Sequence, residues 1–128
     1  MTATTATLPV VAVRVPIPPS VNHCWRDTGR GRAKTRAYLS WEAEARYGAH
    51  WPILSEDRTN RIRWRAAFVV HGLSRSSDLD NLLKVLCDGI CTFTGLRDNY
   101  LDHLTIERGD GAAPGIDVAV WLIEDGGR

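Results

Sequence analysis

The stretch LDNLLKVLCDGI, Leu79 to Ile90, constrains the fold more than any other. At about 100° per residue, Leu79, Leu82, Leu83, Leu86 and Ile90 fall within about a quarter-turn either side of one direction. The spacing predicts a helix with a single apolar face, and that face needs a second layer to cover it. Ser76 or Ser77 can cap its start, and Gly95 marks its end. The β-branched segment VVAVRVPIP, closed by Pro18 and Pro19, reads as a strand. RIRWRAAFVVHG alternates at its start: Arg61, Arg63 and Arg65 share one face and Ile62, Trp64 and Ala66 the other, a strand with a basic face. HLTIERG and IDVAVWLIE read as two more strands, joined by the turn-like DGAAPG. A second helical period runs through TRAYLSWEAEARYGAHW, where Tyr38, Trp41, Ala45 and Ala49 recur and Pro52 limits continuation. The order β-α-β-α-β-β predicts a two-layer α/β domain, a mixed β-sheet packed on two helices.

A chain of 128 residues can build one hydrophobic core but not two, so 1–128 is expected to be a single domain with 1–8 and 124–128 frayed. Hydrophobic residues at 44% and charged ones at 24% exclude a disordered chain. No apolar run approaches the roughly 18 residues that would span a bilayer, and the start lacks a charged n-region before an apolar stretch. A cytoplasmic protein with no membrane partner is expected. Cys24, Cys87 and Cys91 are an odd number, which argues against a disulfide framework. Cys87 and Cys91 with His23 and His103 match no standard zinc spacing.

The net charge of +1 does not itself point to a polyanion, but the charge is unevenly distributed. Arg26, Arg30, Arg32, Lys34 and Arg36 face only Asp27 in a loop that also holds Gly29 and Gly31. Such a flexible basic loop can follow a phosphate backbone, because counterion release needs no fixed geometry. It is equally the composition of a solvated surface loop.

The acids are concentrated around the second helix. Asp80, Lys84 and Asp88 form one stripe at i, i+4 and i+8, Asp78 stands two residues before Asp80, and Asp98 follows in LRDNYLD. Taken singly, each acid has an ordinary reading: complementing the helix dipole, or pairing Asp80 with Lys84. Taken together, Asp78 and Asp80 can point to one side if the chain enters the helix extended, and a short connection can return Asp98 beside them. Clustered carboxylates repel one another unless a cation sits among them. Mg²⁺, or Mn²⁺ in its place, suits such oxygen ligands.

DLDNLLKVLCDGI followed by GLRDNYLDHLTIERG resembles the RusA family of Holliday-junction resolvases: an Asp-Leu-Asp-Asn segment, a Lys one turn on, an Asp a further turn on, and another Asp after a Gly. PIPPSVNHCWRD, with Lys34 and Tyr38 beyond it, is similar to the family's opening, and the similarity runs from Val13 to Gly109. The resemblance implies a homodimeric, Mg²⁺-dependent endonuclease of a bacterial or phage-infected cell that resolves four-way DNA junctions by paired symmetric nicks. It implies Asp78, Asp80 and Asp98 as metal ligands and Lys84 as the catalytic lysine. Asp88 matches a frequent acid with a structural role at least as plausible. Asn22 and Trp25 match the family's opening. Where the family commonly has Asp-Asp, this chain has Arg97-Asp98; counting back from Leu104 and Asp102 aligns Asp98 with the later member, and a one-residue slip puts Asn99 there.

On that reading the acids hold one or two Mg²⁺ near the scissile phosphate, a metal-bound water attacks, and Lys84 offsets the developing charge. DNA contact is assigned to Asn22, Arg30, Arg32, Lys34 and Arg36, and more weakly to Arg61, Arg63 and Arg65. No Ser, Cys or His arrangement suggests covalent catalysis. Two alternatives remain: another metal-dependent nuclease or phosphohydrolase acting on nucleotides, flaps or single strands, and a non-catalytic branched-DNA-binding protein.

Overall fold

Alternation within β4 (Trp64–His71) sets the architecture: Trp64, Ala66, Phe68 and Val70 are buried, and the residues between them are half-buried. The computed structural model describes residues 8–124. Apart from Leu8 and Glu124, the ends expected to fray lie outside the described residues.

β1 (Val11–Val15) ends at Pro16, and a short 3-10 turn at Val21–His23 leads into β2 (Trp25–Thr28) and β3 (Gly31–Lys34). Then come α1 (Arg36–Tyr47), β4, α2 (Asp80–Thr94), a 3-10 turn at Asp98–Tyr100, β5 (Leu101–Arg108) and β6 (Gly115–Leu122). Four strands make one mixed sheet in the order β1-β6-β4-β5, with β4 and β5 parallel and the other neighbours antiparallel. This is the expected α/β class, with two helices and a mixed sheet. The element order is richer than expected, because β2 and β3 form a separate two-stranded sheet where the sequence suggested a flexible loop. Two departures are local. Arg61 and Arg63 precede β4, and α1 stops at Tyr47, before Ala49 and Pro52.

Tyr38, Trp41 and Ala45 of α1 and Leu82, Val85, Leu86, Ile90 and Phe93 of α2 share one buried cluster with Phe68, Val70, Ile116, Val118 and Val120 of the sheet. Leu79 and Leu83, expected in the core, are only partly buried against it. The helix is turned toward Val85 and Gly89, because Trp41 packs there: a Cβ on Gly89 would lie 3.2 Å from its ring. Among the described residues, no helix is long and apolar enough to cross a membrane.

DGAAPG is not a tight hairpin. β5 and β6 flank β4 on opposite sides, so the connection must pass over the end of β4. His71 organises that passage, accepting from Gly111 N–H at 2.9 Å and meeting Asp117 at 2.9 Å. Gly72, at φ +70 with its Cβ position 2.8 Å from Pro114, leaves no room for a side chain.

Candidate active site

Asp78 and Asp80 stand exposed at the start of α2. Among the described residues neither carboxylate makes a hydrogen bond or ion pair. Neither Ser76 nor Ser77 caps the helix; Leu79 occupies the cap position with helical backbone and no side-chain bond. The serines are held elsewhere. Arg108 of β5 donates to the carbonyls of Leu73, Ser74 and Ser77, and the Ser74 and Ser76 hydroxyls lie 2.8 Å apart. Arg108 therefore fixes the loop that delivers Asp78, a role no local pattern announces.

Lys84 does not pair with Asp80. Its ammonium donates to Asp88 at 3.1 Å, because a lysine side chain reaches Asp88 equally well along the same stripe. That bond, reinforced by the charges of Asp88 and Asp98, raises the Lys84 pKa above its ordinary value. Lys84 is a cation throughout the neutral range.

Asp98 lies at the other end of α2. β4 and β5 are parallel, so α2 runs back between them, and its 15 residues span about 22 Å at 1.5 Å per residue. Asp78 and Asp80 follow β4, whereas Asp98 precedes β5. Asp98 is near enough to Lys84 for its charge to act there, but among the described residues no three His, Cys, Asp or Glu side chains gather into a metal-holding group. Arg97, just before Asp98, is used by the fold. Its guanidinium donates to Asn60 O at 3.1 Å, and its carbonyl accepts from Trp64 Nε1 at 2.7 Å. Asp98 and Asn99 are both left exposed.

The predicted DNA-contacting residues divide into two groups. Arg30 sits in the two-residue turn of the β2–β3 hairpin, and Arg36 opens α1 just after its cap Thr35; both are exposed, as is Asn22. Arg32 lies over the Trp25 ring at 4.9 Å, and Lys34 is held 2.9 Å from Glu42 and over Tyr38. The weaker assignment fails to join this surface: Arg63 pairs with Asp102, and Arg65 stacks on Trp121 at 4.0 Å on the sheet face away from the helices.

Between the hairpin, α1 and the far end of α2 lies a cavity of about 530 Å³, lined by Trp25, Lys34, Tyr38, Glu42, Asp88, Cys91, Thr92, Leu96, Arg97, Asp98 and Asn99. Sequence reasoning missed Glu42 altogether, and it read Tyr38 as a helix-face residue and as part of the family-like opening, with no place in a cavity. Burial, with the charges of Glu42 and Asp88 adding to it, pushes the Tyr38 phenol up to about 12. Burial likewise pushes the Cys91 thiol to about 12 and Cys87 to about 11. Neither thiol is a nucleophile at neutral pH.

Compared with protein-family models and with curated proteins, the chain matches none. The resemblance to the RusA resolvases therefore rests on the residues themselves.

Proposed function

We propose that this chain is a metal-dependent endonuclease for branched DNA, of the RusA kind, working as a homodimer with Mg²⁺ or Mn²⁺. The observation that carries the reading is the state of Asp78 and Asp80: two exposed carboxylates two residues apart, with no partner among the described residues to offset their charge. The pair that an ordinary structural role predicts, Asp80 with Lys84, is not formed.

Their chemistry fits Mg²⁺, which takes hard oxygen ligands and is commonly held through one or two carboxylates with water and substrate phosphate completing its shell. Bound there, the ion supplies charge neutralisation at the scissile phosphate and a water of lowered pKa. Asp98, whose charge already acts on Lys84, is the third acid that this reading adds to such a site. Lys84, one turn beyond Asp80 and fully protonated, offsets charge on the leaving oxygen. The exposed Arg30, Arg36 and Asn22 hold the phosphate backbone, which positions the strand without reading its sequence. Two sites related by a two-fold axis meet two opposed strands of a four-way junction.

The test is cleavage of a labelled four-way junction against linear duplex of the same sequence, with Mg²⁺, with EDTA, and with Asp80→Asn. Paired, metal-dependent nicks in the junction alone, lost in the variant, are the expected result. Turnover of flaps or single strands without junction preference would favour another phosphohydrolase. Junction binding with no nicking in Mg²⁺ or Mn²⁺ would leave only a binding protein.

A further inference from the structure

We propose that the cavity beside Asp98 receives a nucleobase swung out of the DNA strand that the chain cuts; the inference rests on the nuclease reading above. Tyr38 carries it. The residue is 3% exposed and lines the cavity, yet its hydroxyl makes no hydrogen bond among the described residues. No fully buried side-chain oxygen or nitrogen among those residues lacks a partner, so the hydroxyl must reach open space, and the space that Tyr38 lines is the cavity. A neutral phenol at a cavity wall, with no acceptor for its proton among the described residues, is a hydrogen-bonding group that a ligand can satisfy.

The surroundings select what that ligand is. Trp25 meets Tyr38 edge to face, with centroids 5.7 Å apart and planes at 87°, and the two rings give the cavity an aromatic wall. Glu42, Asp88 and Asp98 bring three carboxylates, of which Lys34 and Lys84 offset the first two. Arg97 lines the cavity too, so the charges of the lining nearly balance and do not draw a phosphate in. A base is flat and uncharged, and it offers N–H groups that carboxylates accept. The volume of about 530 Å³ falls within the range of small-ligand clefts, roughly 300–1,000 Å³. Position agrees: the cavity lies between the hairpin whose turn carries the exposed Arg30 and the stretch that carries Asp98. Bases at a branch are the least firmly stacked and paired, so they leave the duplex at lowest cost.

The test uses the full-length Asp80→Asn protein bound to four-way junctions carrying 5-iodouracil at one position at a time around the branch. Irradiation followed by peptide mass spectrometry locates the crosslinked residue. The expected result is crosslinking to Trp25 or Tyr38 from one position beside the cut, lost when the exposed Thr92 is changed to Trp to fill the cavity while junction binding and the thermal midpoint persist. A bound junction whose crosslinks all fall elsewhere, or whose Trp25 and Tyr38 crosslinks survive Thr92→Trp, would overturn the cavity assignment and leave the nuclease reading intact. Failure to bind any DNA would overturn both.

Discussion

The two ends of α2 are finished in opposite ways. At its C-terminal end Gly95 adopts φ +85 and donates to Cys91 O at 3.0 Å, and the Thr94 hydroxyl donates to Ile90 O at 2.6 Å. Thr94 O accepts from Leu54 N–H at 2.7 Å, and buried Asn60 donates to Gly95 O at 3.1 Å. At its N-terminal end there is no side-chain cap, and Asp78 and Asp80 stand exposed without partners among the described residues. One end is built for stability. The other presents two exposed acids to solvent, which supply little to the helix beyond complementing its dipole.

The largest expected effect breaks the comparison at its open end. Asp80→Asn should lower metal-dependent junction nicking by at least about 100-fold, since even indirect partners of a metal ligand are worth about 10–100-fold. The same change should move the thermal midpoint little, because the carboxylate has no ion pair among the described residues and only its interaction with the helix dipole is lost. Nicking assays and melting curves on one preparation check both halves. Gly95→Ala attacks the closed end: its Cβ would stand 1.9 Å from Ser55 O at a positive φ, and about 3 kcal/mol of stability should be lost. Urea denaturation measures it, with nicking per folded molecule retained.

Asn60→Ala should come next, at about 2 kcal/mol. Asn60 is 8% exposed and ties Asp57 O, Gly95 O and the Ile62 N–H together. Smallest is Lys84→Met, midway along the helix. Its ion pair with Asp88 is 66% exposed on the lysine side, so the stability change at pH 7 should stay under about 0.5 kcal/mol. The hydrogen bond to Asp88 raises the Lys84 pKa above 10.5. The pair's contribution is therefore full below that value and is lost as pH rises through the raised one. Comparing denaturation of Lys84→Met with the parent chain across pH 9 to 12 shows whether that alkaline loss disappears.

Parts of the site were legible because they depend on neighbours along one helix. Asp78, Asp80, Lys84 and Asp88 are exposed or half-buried, as their stripe suggests, and Gly95 ends the helix where its freedom at positive φ is needed. What was not legible involves partners far apart in the chain. Arg108 clamps the Ser74 loop from 34 residues away, and Asn60 reaches Gly95 across 35. Lys34 is drawn to Glu42 and Tyr38 in the cavity wall, and no spacing rule connects a strand residue with a later helix in that way. The basic stretch read as a flexible loop because its hairpin depends on cross-strand pairs such as Trp25 with Lys34 and Asp27 with Arg32, and these have no helical or alternating signature strong enough to stand out among glycines and arginines.

The sequence by itself determined the two helices, the four main strands and the class of the fold, because periods of about 3.6 and 2 are local consequences of backbone geometry. Only the tertiary structure decided which strands are neighbours. By laying β5 parallel to β4 and slipping β6 between β4 and β1, it set Asp98 at the cavity wall with Asp88 and Cys91, and not in one cluster with Asp78 and Asp80. That outcome follows from the long-range burial of Phe68, Val70, Ile116 and Val118 against the helices, where the free energy depends on the whole core and not on any one segment.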